Sequence, residues 1–87
     1  MNLPKTRKWR DVKRVFREYG IEAVEQSSSG HRRPRHALLV GPGGQKFPVP
    51  ARRESDDISR HYVDAARRKF GLTPDRGVSN RDFWGRF

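Results

Sequence analysis

Two histidines and the arginines between them are the residues whose types and spacing indicate specific chemistry. His31 and His36 flank a segment that contains Arg32, Arg33 and Arg35. A histidine acts as a general base near neutral pH, and guanidinium groups bind phosphate oxygens through a planar fork of donors. Together they are suited to removing a proton from a ribose 2′-hydroxyl while stabilising charge on the attacked phosphodiester. The alternative is that both histidines are solvated loop residues, and spacing alone favours it.

The rest of the sequence excludes several other reaction classes. There is no cysteine, which excludes disulfides, thiolate zinc sites and cysteine nucleophiles. The ten acidic residues are scattered, whereas a two-metal nuclease needs carboxylates that converge. The glycine-rich stretch Gly41–Gly44 lacks the lysine and the helix start of a phosphate-binding loop, and it predicts a turn. We therefore expect no metal and no cofactor. The remaining histidine, His61, lies near the apolar stripe of a predicted helix, and we expect it to have a structural role.

Charge indicates the kind of partner. The 87 residues carry 20 Lys and Arg against 10 Asp and Glu, a formal net charge of +10. Most of the cations are arginines, which match phosphate oxygens and stack on bases better than lysines do. The length permits one domain, and no apolar run approaches the roughly 18 residues of a membrane span. These features predict a cytoplasmic protein that binds nucleic acid and no membrane; a charged surface serving only solubility is the alternative.

The apolar spacing predicts a first helix over Arg7–Tyr19, with Thr6 as its N-cap. Its buried face would consist of Trp9, Val12, Phe16 and Tyr19. Its opposite face would carry Arg7, Arg10, Arg14 and Arg17. The last three arginines of that face, Arg10, Arg14 and Arg17, are candidate phosphate contacts, although an ordinary solvated face is equally compatible with this row.

A second helix is predicted from about Asp56 to Phe70, with Ser55 as its cap and a firm stop at Gly71. The predicted buried stripe is Ile58, Tyr62, Ala65, Ala66 and Phe70. The predicted exposed face carries Arg60, Arg67 and Arg68.

Between the helices the pattern predicts three strands, over Ile21–Glu25, Ala37–Val40 and Lys46–Val49. The last two would form a hairpin, and a polar loop over 27–34 would precede them. The fold class is therefore α+β, with the order α-β-β-β-α and both helices on one face of a three-stranded antiparallel sheet. The helices would pack against Leu38, Val40 and Phe47.

The C-terminal segment is predicted separately from this domain, which would cover residues 1–73. Residues 74–87 are polar but end with three aromatic residues, Phe83, Trp84 and Phe87. Such a cluster is unusual for a disordered end. It either folds back on the domain, which we favour, or contacts a partner.

Three segments resemble the HicA family of small toxins from toxin–antitoxin pairs. These are residues 36–40, the hairpin over 43–50, which reads G-G-x-x-x-x-V-P, and residues 58–72, which end in Gly-Leu. The resemblance covers about residues 7–72 and implies a fold like the double-stranded-RNA-binding domain. It also implies metal-independent cleavage of messenger RNA by one histidine, and silencing by a HicB-like antitoxin. The catalytic histidine would open the second strand: His36 has the better distance to Pro50, and His31 the better neighbouring glycine.

Two hypotheses follow. In the first, the protein is an endoribonuclease with His36 or His31 as its base, and Arg33, Arg35, Arg52 and Arg53 hold phosphates. In the second, it is a binding module in which the first helix and Arg32–Arg33 supply the footprint and nothing is cut. A DNA-binding accessory protein is less compatible, because the predicted helices lack helix-turn-helix spacing.

Overall fold

A computed structural model describes residues 5–25 and 37–87 of the chain. The elements are strand β1 (Thr6–Lys8), helix α1 (Trp9–Glu18), strands β2 (Glu22–Glu25), β3 (Ala37–Val40), β4 (Lys46–Val49) and β5 (Asp57–Ser59), helix α2 (Arg60–Phe70), a 3₁₀ turn (Pro74–Arg76) and helix α3 (Asn80–Gly85). The fold is α+β, as predicted. No helix within the described ranges is long and apolar enough to cross a membrane.

The larger sheet has the strand order β2-β3-β4 and is antiparallel throughout. Leu39 in the central strand lies opposite Ala23 on one side and Phe47 on the other. The β3–β4 turn is closed by the Gly41 amide, which donates to the Gln45 carbonyl at 2.9 Å, and Gly44 adopts a φ of +86° there. The predicted three-stranded antiparallel sheet is thus confirmed.

A second sheet, formed by β1 and β5, was not predicted. The pairing of Arg7 with Ile58 makes residues 57–59 extended, so they cannot begin a helix. The predicted start of the second helix at Asp56 with Ser55 as cap is therefore wrong. Helix α2 begins at Arg60, and the Ser59 hydroxyl accepts a hydrogen bond from the Tyr62 amide at 3.4 Å.

The start of α1 also differs from the prediction, because Arg7 belongs to β1. The Thr6 cap is wrong: the N-cap residue is Lys8, and its side chain makes no capping hydrogen bond. Instead, the amides of Trp9 and Arg10 donate to the carbonyls of Asp56 and Glu54, at 2.8 and 3.1 Å. The loop between β4 and β5 therefore caps α1 through its backbone.

One hydrophobic core lies between the helices and the larger sheet. Its fully buried side chains include Trp9, Phe16 and Leu39. The core face of β3 was predicted one residue out of register: Ala37 and Leu39 are buried, whereas Leu38 and Val40 are only half-buried. Alternate residues of a strand point to opposite faces, so this shift moves the whole strand pattern.

Two predictions about which residues of helix α2 are buried are wrong. Tyr62 was expected to be buried and is 43% exposed, whereas Arg67 was expected to be exposed and is 4% exposed. The Arg67 guanidinium donates to the Leu72 carbonyl and to Asn80 Oδ1, both at 2.9 Å, and lies 4.4 Å from the centre of the Phe83 ring. Burial lowers the pKa of Arg67. These acceptors explain how a cation occupies the core.

The C-terminal segment folds back onto the same core. Phe83 is fully buried, Trp84 is nearly so, and the Phe83 ring meets Phe16 edge to face at 5.4 Å. Arg86 donates to the Tyr19 hydroxyl at 2.8 Å and to Glu18 at 2.7 Å. Helix α3 therefore covers one side of α1, and the core extends past residue 73.

Candidate nucleic-acid interface

Five of the eight arginines predicted to bind nucleic acid belong to the described residues. Arg10, Arg14 and Arg17 lie on α1, and Arg52 and Arg53 lie in the β4–β5 loop; all five are exposed. The other predicted site residues lie outside the described residues: Arg32, Arg33, Arg35, His31 and His36.

The structure brings one arginine of α1, Arg10, next to the loop arginines at the N-terminal end of the helix. The Arg10 amide is bonded to the carbonyl of Glu54, which directly follows Arg53. Arg10 therefore lies beside the loop that carries Arg52 and Arg53. The sequence spacing could not predict this contact, because Arg10 and Arg52 lie 42 positions apart in the chain.

Asp56 fixes the shape of this loop. Its Oδ2 atom accepts hydrogen bonds from the amides of Arg52 and Arg53, at 2.7 and 3.0 Å. These two backbone bonds, the Arg52 bond first, lower the pKa of Asp56 below its ordinary value. The carboxylate also lies 3.6 Å from Arg53 Nε and partly compensates that charge. The Arg52 guanidinium, by contrast, has no ion pair within residues 5–25 and 37–87.

Acidic residues compensate two lysines in the same region. Lys13 pairs with Glu54, and Lys8 pairs with Asp57 at 2.9 Å. The end of α1 is therefore a mixed surface in which arginines, rather than lysines, supply the uncompensated charge. Arg10 and Arg52 are its exposed cations that have no ion pair in the described part of the chain.

The arginine row on α1 is not uniform. Arg14 Nη1 lies 3.2 Å from Glu18 Oε2 and donates to the Arg86 carbonyl at 3.0 Å, so this guanidinium is held within the protein. Arg17 is exposed, and its side chain makes no hydrogen bond to any described residue. The helix therefore offers Arg10 and Arg17 to a ligand more readily than Arg14.

A second basic surface was missed by the sequence analysis. Arg68, Lys69 and Arg76 line a cleft at the C-terminal end of α2, next to Gln45 of the β3–β4 turn. The available signal was three cations within nine residues around the helix-ending Gly71. Of these three, only Arg68 was considered, as part of the predicted exposed face of the second helix, because the contribution of the distant turn cannot be read from local spacing.

The remaining candidate chemistry is limited. His61, for which a structural role was expected, is exposed on α2. Among the described residues, no group of three or more His, Cys, Asp and Glu side chains is arranged to hold a metal ion. Strand β3 begins at Ala37, the residue that follows His36 in the sequence.

Comparison with protein-family models, curated proteins and solved structures found no significant match. The resemblance to the HicA family therefore depends on the three sequence segments alone.

Proposed function

We propose that the protein is a small RNA-binding protein whose described binding surface is the N-terminal end of α1 with the β4–β5 loop. The observation that carries this proposal is the juxtaposition of Arg10 with Arg52 and Arg53, fixed by the backbone bonds to Glu54 and Asp56. These bonds order the backbone that carries the three arginines, so only their side chains lose freedom when they bind phosphates. Arg17 extends the same set along the helix.

The choice of RNA rests on the chemistry of this surface. Arginine side chains present planar donors to phosphate oxygens, and the described surface offers them on a helix and a loop. A single RNA strand exposes both its phosphates and its bases, and arginine guanidinium groups bind the phosphates and stack on the bases without reading the sequence. The formal charge of +10 adds long-range attraction to any polyanion.

A second candidate function is metal-independent RNA cleavage of the HicA type, with a HicB-like antitoxin as protein partner. It is supported by the element order α1-β2-β3-β4-β5-α2 over residues 9–70, which contains the predicted α-β-β-β-α order with the short strand β5 added before α2. His36 or His31 would take the proton from a 2′-hydroxyl, whose oxygen attacks the adjacent phosphorus and breaks its bond to the 5′-oxygen, which leaves as a 5′-hydroxyl with a proton from water. The product would carry a 2′,3′-cyclic phosphate. This candidate includes the double-stranded-RNA-binding-domain-like fold and a cytoplasmic location.

RNA binding is expected to weaken steeply with salt. If six phosphates of a single strand are neutralised, the log–log plot of affinity against salt should have a slope of roughly −4. Fluorescence anisotropy with a labelled 2′-O-methyl RNA, which cannot be cleaved through its 2′-hydroxyl, measures this slope.

The double variant Arg10→Gln/Arg52→Gln should reduce the magnitude of that slope by about 1.4, because each lost contact to a single strand removes about 0.7. A variant with the same charge change, Lys5→Gln/Arg81→Gln, is the control, since both residues are exposed. A flat salt response of the wild type would contradict RNA binding and leave solubility as the role of the charge.

A further inference from the structure

The cleft at the end of α2 concentrates donors that the fold does not use. Arg68 and Lys69 come from the last turn of α2, and Arg76 comes from the 3₁₀ turn that follows. All three are exposed, and their side chains make no hydrogen bond or ion pair within residues 5–25 and 37–87. At the end of α1, by contrast, Lys8, Lys13 and Arg53 are already paired with acids.

The end of α2 is capped by backbone amides and not by the side chains of these cations. Gly71 donates to the Arg68 carbonyl at 3.3 Å and Leu72 donates to the Arg67 carbonyl at 2.8 Å, so two carbonyls of the last turn are satisfied. Gly71 has a φ of +72°, the left-handed conformation that ends many helices. Because the side chains of Arg68, Lys69 and Arg76 make no hydrogen bond to these carbonyls or to any other described residue, they remain available to a ligand.

Neighbouring residues position the donors around the cleft. The Arg76 Cδ atom lies 3.8 Å from the place where a Cβ on Gly71 would stand, so the side chain runs along this glycine. On the facing turn, Gln45 Oε1 accepts a hydrogen bond from the Gly43 amide at 3.2 Å, which leaves the Gln45 NH₂ group to donate outward. The cleft therefore offers donors from two separate elements.

Asp75 is the acid of the cleft. Hydrogen bonding from the Thr73 hydroxyl and from its own amide, together with the nearby charge of Arg76, lowers the pKa of Asp75. Three cations against one carboxylate leave a net charge of about +2, which suits the phosphates of a nucleic-acid backbone.

We infer that this cleft is a second phosphate-binding site, which holds the backbone of the RNA strand through Arg68, Lys69 and Arg76. The inference rests on the proposed RNA binding and adds a contact separate from the end of α1, with which the cleft shares no residue. A strand bound at both places would lie along the protein rather than at one end of α1.

The test is the double variant Arg68→Gln/Arg76→Gln, measured by anisotropy with a labelled single-stranded 2′-O-methyl RNA over a range of salt concentrations. Loss of two phosphate contacts should reduce the magnitude of the salt slope by about 1.4 and the affinity at 0.1 M salt by about 25-fold. The matched control is Lys5→Gln/Arg81→Gln, which removes the same charge from exposed positions outside the cleft.

The outcomes separate the inference from the proposed function. If the cleft variant loses affinity and slope while the control keeps both, the second site is supported. If the wild type binds RNA with a steep salt dependence but both double variants behave alike, the cleft is not a contact and RNA binding still stands. If the wild type does not bind RNA, both proposals are wrong. Circular dichroism of each variant checks that the fold is retained.

Discussion

Replacement of His36 by alanine is expected to lower the rate of RNA cleavage by about 10²–10⁴-fold, the usual contribution of a general base. RNA affinity should change little, because the proposed phosphate contacts are made by arginines. EDTA should leave the wild-type rate unchanged, and the product should carry a 2′,3′-cyclic phosphate. The measurement is a single-turnover time course with excess protein over a labelled RNA.

His31→Ala, measured in the same way, decides between the two candidate bases, since only one imidazole can reach the attacking oxygen. His61→Ala is the control, because His61 lies exposed on α2 and has no part in the proposed chemistry. If the wild type does not cleave RNA, or if neither His31→Ala nor His36→Ala alters cleavage, the endoribonuclease proposal is wrong. The RNA-binding proposal would remain, because it does not depend on a histidine.

The second large effect concerns stability. Phe16→Ala should lower the free energy of unfolding by about 3–5 kcal/mol, the usual cost of emptying a buried aromatic site. Phe16 is fully buried and meets the rings of Phe70 and Phe83 edge to face, at 6.2 and 5.4 Å. Such a loss is a large part of the stability of a small domain. Urea denaturation followed by circular dichroism measures it.

Tyr62→Ala is the informative control for this variant. The spacing of apolar residues predicts that Tyr62 is buried, whereas the structure leaves 43% of it exposed. Its capping hydrogen bond to Ser59 comes from the backbone amide and survives the substitution. We therefore expect a change of about 1 kcal/mol or less. Equal losses for the two variants would contradict the face assignment of α2.

A part of the fold was predictable from sequence where its apolar residues follow a clear period. The core face of α1 was predicted because Trp9, Val12 and Phe16 recur at helical spacing and no other period fits them. The face of β3 was not, because Ala37–Val40 is apolar at all four positions and carries no alternation. Strands β1 and β5 have three residues each, too few for any period to show.

Long-range partners account for the other differences. Arg67 is buried because Leu72, Val78 and Asn80 supply acceptors for its guanidinium group. No sequence pattern around α2 predicts these acceptors. At the candidate interface, the exposure of Arg52 and Arg53 was predictable from their polar loop. The environment of the α1 arginines was not predictable, because it depends on residues more than 40 positions away. Arg14 donates to the Arg86 carbonyl, and Arg10 lies beside Glu54.

The contacts of Arg86 with α1 bear on the order in which the domain folds and opens. They join residues separated by 67, 68 and 72 positions, and closing a loop of that length costs more chain entropy than closing a short one. We therefore expect α3 to dock late in folding and to detach before α2 does, so that its amides exchange hydrogen with solvent faster than those of α2. Each local detachment of α3 would briefly expose the aromatic side of α1 and free Arg14 and Glu18 from Arg86.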